Sequence, residues 1–322
     1  MYFNKNNNFV HGIMFHHFHD DGVHLKSQGS INKDDFFKII NFIGRKNILD
    51  ADVFYEKFKN NSLKNNEVCL TFDDAIKSQV DIALPVLEEL KIKSFFFVYT
   101  SIFESSPDNL EVFRFFRTNY FNSINEFYDN FYKVLDKDLK YFFDKNSDKI
   151  NETKIKFPFY TIEDIKFRMV RDIFLNKDQY EKNMFRMIKE KKLNHTDFYE
   201  RLFFQKKDLQ TLNNLGHMIG LHSHNHPTLI EKLSYDEQKS EYEQNLSSMS
   251  IILDKPENEI KYMSHPCGSY NDDTLQILKE LGIELGFKQT MIIETKKDKK
   301  KVNNSFLQIP REDHSNIYSK IN

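Results

Sequence analysis

Apolar runs alternate with amphipathic segments over the first hundred residues of the chain. Residues 9–18, 68–72 and 94–99 are short, mostly apolar runs that are typical of buried strands. Residues 32–42 and 80–90 carry apolar side chains at helical spacing, which predicts one helix in each interval between these strands. Because strands and helices alternate, we expect β-α-β units, and units of this kind build parallel sheets.

The pattern changes between residues 104 and 204, where we expect a helical insertion. Phe, Tyr, Lys and Asp alternate at helical spacing over residues 119–143 and 161–192, and no strand pattern stands out. Residues 161–164, Thr-Ile-Glu-Asp, resemble a capping box at a helix start. The aromatic faces favour a private core, because amphipathic stripes are usually buried, and a lid or a homo-oligomer surface are the alternatives.

The alternation of strands and helices returns after residue 205. We therefore expect one α/β domain built from residues 9–103 and 205–316, with residues 104–204 inserted into it. The predicted strands of the second part are residues 217–222, 260–263, 284–293 and 306–309.

Polar residues that can bind metals gather at the C-terminal ends of the predicted strands. In a parallel α/β barrel these ends share one face, and active sites lie on that face. We therefore expect a single site, built from residues 16–21, 73–74, 222–226, 264–270 and 311–314.

Composition and charge narrow the class of protein. The chain has 322 residues and is 39% hydrophobic, which is enough for one large α/β domain or two smaller ones. Its 46 basic and 48 acidic residues give a net charge of -2, which does not favour a nucleic-acid partner. No segment approaches the roughly 20 apolar residues of a membrane-spanning helix. The polar start lacks a signal-peptide pattern, so we expect a cytoplasmic protein, and Cys69 and Cys267 suggest no disulfide framework.

Asp73 and Asp74 are adjacent carboxylates at the end of the second predicted strand. Neighbouring side chains of a strand point in opposite directions, so the two acids are expected to differ in task. One of them can bind a metal ion while the other accepts a proton. The alternative is a pair of turn acids that caps the following helix.

His222 and His226 follow the first predicted strand after the insertion. The His-x-x-x-His spacing at a strand-to-loop junction can place two imidazoles on one cation, with an aspartate as the third ligand. Two histidines and one carboxylate leave coordination positions for water and substrate, as catalytic metal sites do. A pair of surface histidines is the alternative, and His224 between them is expected to point away.

Three stretches of the chain resemble motifs of the polysaccharide deacetylase family, carbohydrate esterase family four with its NodB-homology domain. They are Thr71-Phe72-Asp73-Asp74, then His222-Ser223-His224-Asn225-His226-Pro227, then Pro266-Cys267-Gly268-Ser269-Tyr270-Asn271. The resemblance covers about residues 9–103 and 205–314 and leaves the helical insertion outside it. It implies a distorted (β/α) barrel of about seven parallel strands with a helical insertion, and a hydrolase that removes acetyl groups from N-acetylated sugars.

By motif position, the resemblance implies that Asp73 is the general base. It also implies that Asp74, His222 and His226 bind one divalent metal ion, and zinc is the expected species. Such an ion polarises the acetamide carbonyl and lowers the pKa of a bound water, while the base takes the proton of the attacking water.

The third motif is expected to contact the substrate. The resemblance implies that the backbone N–H of Cys267 stabilises the oxyanion, with Gly268 and Tyr270 beside it. The Cys267 side chain need not take part, and we expect it to be a buried or partly buried structural thiol.

The third motif also departs from the family pattern. Many members have an arginine at the position of Ser264, which helps to hold the base aspartate, and an aromatic residue at the position of Cys267. Arg311, after the last predicted strand, is expected to supply the missing guanidinium as a bidentate partner of a carboxylate. A plain structural salt bridge is the alternative role for Arg311.

The general acid that protonates the leaving amine is expected to be a histidine, because imidazole titrates near neutrality. Typical members use a Leu-x-His motif near the C-terminus, and no clear copy occurs here. His16 is preferred, because the strand that carries it resembles the one that opens a subset of these deacetylases. His314 is the second candidate and His265 the third.

The favoured function is metal-dependent N-deacetylation of a sugar. The expected substrate is a cytoplasmic glycan precursor, such as a nucleotide-linked or lipid-linked sugar. A metal-dependent amidohydrolase acting on a cyclic amide or ureide is the first alternative, since one fold hosts several chemistries. The second is an inactive barrel that binds glycans or proteins, and the intact set of candidate ligands and base argues against it.

Overall fold

Seven parallel strands form one sheet in the part of the chain that this computed structural model describes, residues 2–4, 7–27, 29–104, 108–158, 160–292 and 306–321. The apolar runs are buried along their whole length, as strands of a helix-covered parallel sheet are. The strands are β1 (His11–Phe15), β2 (Val68–Phe72), β3 (Phe95–Val98), β4 (Met218–Leu221), β5 (Tyr262–Ser264), β6 (Leu285–Phe287) and β7 (Arg311–Asp313).

The strand order is β6-β5-β4-β3-β2-β1-β7. The segment leading into β7 nearly closes the sheet, because Ile309 pairs with Phe287 of β6 and Arg311 pairs with Gly12 of β1. The rings of Phe97 on β3 and Phe287 on β6 lie 5.5 Å apart although their strands are not neighbours, so they meet across the barrel. The expected distorted (β/α) barrel of about seven parallel strands is confirmed.

Helices connect the strands, and side-chain caps start several of them. Asn32 accepts a hydrogen bond from the backbone of Asp35 in the first helix, and Ser234 forms a capping box with Glu237. The helices are α1 (Lys33–Ile43), α2 (Ala51–Lys59), α3 (Leu84–Glu89), α4 (Leu110–Asn119), α5 (Ile124–Leu135), α6 (Lys140–Lys145), α7 (Ser147–Lys156), α8 (Ile162–Met169), α9 (Lys177–Glu190), α10 (Tyr199–Leu202), α11 (Lys206–Asn214), α12 (Tyr235–Leu253), α13 (Asp272–Glu280) and α14 (His314–Tyr318). Single turns of 3₁₀-helix are Arg45–Asn47, Ser101–Phe103, His195–Phe198, Ile230–Lys232, Glu257–Glu259 and Pro266–Gly268, and π-helical turns are Gln79–Ala83 and Val170–Phe174.

The inward face of β2 changes from apolar to polar along the strand. Side chains alternate between the two faces of a strand, so Cys69, Thr71 and Asp73 point the same way. Cys69 lies in an apolar cluster with Phe287, whereas Thr71 and Asp73 receive hydrogen bonds from Arg311. The barrel therefore has an apolar interior near the start of β2 and a polar one near its C-terminal end.

Contacts divide the chain into two compact units. The first comprises Met1–Asp108 and Phe203–Asn322 and contains the barrel, and the second comprises Asn109–Leu202 and is helical. In the helical unit aromatic rings pack on one another, as do the fully buried Phe127 and Phe167 at 5.3 Å. The aromatic stripes thus form a core within this unit, and a lid or oligomer role for it stays a prediction. None of the helices among the described residues has the length and apolar character that a membrane crossing requires.

Candidate active site

Two adjacent acids leave β2 in different directions. Asp73 follows the inward face of the strand, and the backbone then turns at Asp74, whose φ of +74° is rare for a residue other than glycine. As a result, the Asp73 carboxylate meets Arg311 and the Asp74 carboxylate meets His222 and His226. The two acids therefore have different partners.

Asp74, His222 and His226 form the one group of three metal-competent side chains found in the described part of the chain. Oδ1 of Asp74 lies 3.2 Å from Nε2 of His222 and 3.2 Å from Nε2 of His226. The three ligand atoms lie within 4.8 Å of one another, and all three residues are buried. Burial alone would raise the pKa of Asp74, but the charge of His226 holds that pKa well below its usual range.

The tautomer of His222 indicates what this cluster is suited to bind. Nδ1 lies 2.8 Å from the backbone oxygen of Ser264, which can only accept, so Nδ1 carries the proton. In the neutral ring Nε2 is then a lone-pair acceptor that faces the acceptor oxygen of Asp74. A bound cation would remove this repulsion, and two imidazole nitrogens with one carboxylate oxygen are a donor set that suits Zn²⁺.

Asp73 is held by a bidentate ion pair. Its two carboxylate oxygens accept hydrogen bonds from Nη1 and Nη2 of Arg311, each at 2.7 Å. Both side chains are buried, with exposed fractions of 2% for Asp73 and 1% for Arg311. Burial by itself would raise the pKa of Asp73, but the Arg311 charge brings it below its ordinary value, so the carboxylate is ionised at neutral pH.

Ser264 links the ion pair to the histidine cluster. Its Oγ donates to Oδ2 of Asp73 at 3.1 Å and accepts from Nη2 of Arg311 at 2.6 Å. Its backbone oxygen is the one that accepts from His222. The sequence drew attention to Ser264 only as the position where many family members have an arginine. Its place at the C-terminal end of β5, where the other site residues also gather, was the signal that it belongs to the site.

Of the three candidate general acids, only His16 lies within 4.0 Å of Asp73, with 3.9 Å between Nε2 and Oδ2. Its side chain is 20% exposed, so a ligand can reach it. The buried amide of Gln79 donates to the backbone oxygens of His16 at 2.9 Å and of Asp73 at 2.6 Å. Gln79 therefore fixes the positions of these two residues relative to each other, and no sequence pattern had singled it out.

His314 and His265 are held by backbone carbonyl groups. The ring nitrogens of His314 lie 3.2 Å from the oxygen of Met14 and 2.8 Å from that of Gly29. Nε2 of His265 lies 2.8 Å from the oxygen of Leu307, and burial lowers the pKa of His265 to about 3. His265 is therefore uncharged at neutral pH, and the structure brings neither ring to the two adjacent aspartates.

The third motif forms the loop after β5. Gly268 has a φ of +68°, and a Cβ there would lie 2.8 Å from Cβ of Gln289, so the position requires glycine. Cys267 is exposed, so the expectation of a buried or partly buried thiol is wrong: the residue lies in a tight turn with a φ of +51° on the protein surface. The ring of Tyr270 stacks on His265 with 4.3 Å between centroids. The three residues are thus at the barrel edge that carries the acids and histidines.

A buried polar network supports the loop that carries His222. The side-chain oxygen of Asn245, on α12, accepts from the backbone N–H of His222 at 2.9 Å, and its amide donates to Oγ1 of Thr100 at 3.1 Å. Nδ1 of His224 lies 3.0 Å from the same hydroxyl, so His224 is directed away from the candidate metal ligands. Asn245 was missed by sequence reasoning, although an asparagine on the buried face of a helix is a signal of such a role.

A sequence model described as "Polysaccharide deacetylase" matches residues 60–114 and 122–286, which is more than half of the chain. The chain belongs to the polysaccharide deacetylase family. The resemblance stated from the three motifs is thus confirmed, and the match also extends into the segment that the motifs left outside it. No curated protein matches the chain in sequence.

Solved deacetylase structures resemble the chain over nearly its whole length. The Streptococcus pyogenes deacetylase PplD is 16% identical with a TM-score of 0.54, covering 98% of this chain and 97% of that one. The de-N-acetylase from Aggregatibacter actinomycetemcomitans is 12% identical with a TM-score of 0.55, covering 97% and 99%. IcaB from Ammonifex degensii is 11% identical with a TM-score of 0.54, covering 97% of each chain. These likenesses show a shared fold.

Membership of the polysaccharide deacetylase family supports deacetylation of a sugar, and these deacetylases use a divalent metal. The chain departs from the family at Ser264, where many polysaccharide deacetylases have an arginine. The Arg311 guanidinium, which comes from β7, contacts the same aspartate that the family arginine helps to hold.

Proposed function

We propose that the protein is a metal-dependent N-deacetylase that hydrolyses the acetamide of an N-acetylated sugar. The observation that carries the proposal is the division of labour at the end of β2. Asp73 is paired with Arg311, while its neighbour Asp74 faces two histidines. A base and a metal-binding cluster are therefore side by side in one buried site.

Asp74, His222 and His226 are the residues that would hold the metal ion, and zinc is the ion that their nitrogen and oxygen donors favour. When bound, a divalent cation polarises the acetamide carbonyl and makes a bound water more acidic. Ser264 supports the assignment, because its backbone oxygen holds the His222 ring with Nε2 directed at the cluster.

Asp73 is proposed as the general base. Water attacks the acetamide carbon, and the water proton passes to the Asp73 carboxylate as the new C–O bond forms. Arg311 holds this carboxylate in place and ionised beforehand. The backbone N–H of Cys267 is proposed to donate to the oxygen that becomes negative in the tetrahedral species, with Gly268 and Tyr270 lining the same side.

His16 is proposed as the general acid. The C–N bond breaks as the leaving nitrogen takes a proton, which gives acetate and a free amine on the sugar. A general acid must reach the substrate, and His16 is partly exposed and 3.9 Å from Asp73. His314 and His265 are weaker candidates, because backbone oxygens occupy their ring nitrogens.

The substrate class rests on family membership, and its finer identity stays a prediction. A cytoplasmic glycan precursor is the expected substrate. The alternative substrate, a cyclic amide or ureide, was supported by the serine at position 264, where many family members have an arginine. Because Arg311 pairs with Asp73 in place of that arginine, this support is weaker. The retained cluster and base also count against an inactive binding barrel.

Acetate release tests the proposal. The purified protein is incubated with N-acetylated nucleotide sugars, N-acetylated oligosaccharides and cyclic ureides, and acetate and ring-opened products are measured. Acetate from at least one N-acetylated sugar, abolished in Asp73→Asn, is the expected result. Turnover of ureides alone would replace the proposal by the first alternative, and no turnover by metal-loaded protein would favour the binding barrel.

A further inference from the structure

Arginine is used sparingly and unevenly in this chain. Lysine and arginine total 46, but only eight of these residues are arginine. One of them is Arg311, which uses its planar fork to hold Asp73. Six of the other seven lie in the helical unit: Arg114, Arg117, Arg168, Arg171, Arg186 and Arg201.

Arg117, on α4, is buried, and its charge interacts with that of Asp164 without a hydrogen bond or a close ion pair among the described residues. Its exposed fraction is 8%, and its guanidinium lies 5.3 Å from the ring centroid of Phe167. Among the described residues, this cation–π contact is the one short-range interaction of its guanidinium. None of them forms a hydrogen bond or an ion pair with its N–H groups. None of its nitrogen atoms is among the described polar atoms that are both shielded from solvent and unsatisfied, so water or a ligand can reach the guanidinium.

The nearest acid is already engaged. Asp164 is fully buried, and its carboxylate accepts from Nε of Arg168 at 2.9 Å and from the hydroxyl of Tyr128 at 3.2 Å. Burial lowers the pKa of Arg117, and the charge of Arg168 lowers it further, whereas Asp164 acts in the opposite direction. Two guanidinium groups therefore share one carboxylate, which leaves a positive charge without a counterion.

Arg168 has unused hydrogen-bond donors, and its side chain is partly exposed to solvent. It uses Nε for Asp164, and its two Nη groups have no hydrogen-bond partner among the residues described. Its guanidinium packs 4.1 Å from the ring centroid of Tyr160, and its side chain is 29% exposed. A small ligand can therefore approach the guanidinium of Arg168 from solvent.

We propose that Arg117 and Arg168 form an oxyanion-binding site in the helical unit. The ligand is a singly charged group, a phosphodiester or a carboxylate, since one positive charge remains after Asp164 is counted. Guanidinium forks suit such groups, because their paired N–H donors match two oxygens of the anion. The site involves none of the residues assigned to deacetylation, so it stands or falls independently of that activity.

Thermal unfolding of the full-length protein with dimethyl phosphate and, separately, with acetate tests this site against sodium chloride of equal ionic strength. One of the two anions is expected to raise the melting temperature, and the one that does so identifies the class of ligand. Because acetate is also the product of the proposed reaction, its effect is scored as the difference between wild type and Arg117→Met.

The matched variants decide the outcome. Arg117→Met is expected to weaken anion binding about tenfold or more and to be no less stable than wild type without ligand. Arg186→Met is the control, because Arg186 is 62% exposed and pairs with Glu190 on the surface of the same unit, and it should keep the full response.

Two results would overturn the site: no response of wild type beyond the chloride control, or an undiminished response of Arg117→Met. If Arg117→Met does not fold, Arg117→Lys carries the same test. It keeps the charge but loses the fork, so weaker binding supports the proposal and unchanged binding contradicts it.

Discussion

The barrel and the helical unit each bury an aspartate beside an arginine, and they differ in how many arginines face that aspartate. In the barrel, Asp73 and Arg311 match one to one, with two hydrogen bonds of 2.7 Å. In the helical unit, Asp164 accepts a single 2.9 Å hydrogen bond from Arg168, while Arg117 interacts with it through its charge without a hydrogen bond among the described residues. Both aspartates are nearly inaccessible, with exposed fractions of 2% and 0%.

This difference separates two uses of a buried guanidinium. A matched pair fixes a carboxylate in one position and one charge state, which is what a general base needs before substrate arrives. A surplus guanidinium instead leaves charge for something outside the chain. Buried arginines in this protein are therefore better interpreted by counting the acids that they contact than by burial alone.

Removing Arg311 should break the matched pair with the largest effect on stability. Arg311→Leu leaves the Asp73 carboxylate buried and unpaired, which we expect to cost about 3–5 kcal/mol. Arg117→Met, in contrast, replaces a buried charge that makes no hydrogen bond among the described residues by an apolar side chain, and should not destabilise the protein. Urea unfolding of both variants measures the contrast, with Arg311→Lys as the control that keeps the charge. Equal losses of unfolding free energy in Arg311→Leu and Arg117→Met would show that the two arrangements do not differ.

Removing the proposed acid should reduce turnover without disturbing the pair. His16→Ala is expected to lower kcat about 100-fold or more, because a general acid contributes at least that much. Metal content and stability should stay near wild type. His314→Ala is the matched control, since it loses two carbonyl contacts and should lose stability but keep its kcat. A loss of kcat confined to His314→Ala would reverse the assignment.

Acid titration should expose the charge of Asp164 in the helical unit. Burial alone would raise the pKa of Asp164, but the charges of Arg168 and Arg117 hold it below its ordinary value. The ionised form therefore stabilises the fold above the unfolded-state pKa of about 3.9, and this contribution disappears as the pH falls through the folded-state value. Asp164→Asn should be less stable than wild type by about 1–3 kcal/mol at neutral pH.

The stabilities of wild type and Asp164→Asn should converge as the pH falls below the usual carboxyl range. Urea unfolding of both proteins along a pH series measures this. A difference that stays constant into acid would mean that the Asp164 charge contributes nothing to stability.

The smallest expected effect concerns the hydroxyl of Ser264. Ser264→Ala removes one of the hydrogen bonds to Asp73 but leaves Arg311 in place, so kcat should fall about tenfold. KM should change little, because the hydroxyl contacts the base and not the substrate. Ser264→Thr keeps the hydroxyl and should restore most of the lost rate. Identical rates for the alanine and threonine variants would argue against a role for this hydrogen bond.

Local patterns in the sequence were sufficient for much of the barrel. Short apolar runs and helical spacing led to the strands, and strand ends share one edge in a parallel barrel, so the positions of Asp74, His222 and His226 followed. The helix start at Thr161 was also readable, since its hydroxyl accepts from the backbone of Asp164.

Contacts between distant residues were much harder to foresee. Asp73 and Ser264 are 191 positions apart, and a serine has no spacing pattern that reveals its partner. The side chain of Asp164 resembled a capping acid but bonds to Arg168 and Tyr128, because a buried guanidinium and hydroxyl compete for it.

The last strand was placed too early for a similar reason. Residues 306–309 were expected to form it, but Phe306 is 62% exposed, and the segment makes an isolated bridge of Ile309 with Phe287 and a backbone hydrogen bond of Phe306 with Gly286 instead of a strand. Arg311–Asp313 form β7 instead, because register with β1 places Arg311 beside Gly12. A polar triplet does not look like a strand in isolation, and its pairing depends on the closed barrel.

Metal content and acetate release, measured together on Asp73→Asn and Asp74→Asn, test most directly whether the adjacent acids have separate tasks. We expect that Asp73→Asn keeps the wild-type amount of bound metal and releases no acetate, while Asp74→Asn loses both. Acetate release by Asp73→Asn at the wild-type rate, or full metal content in Asp74→Asn, would contradict it.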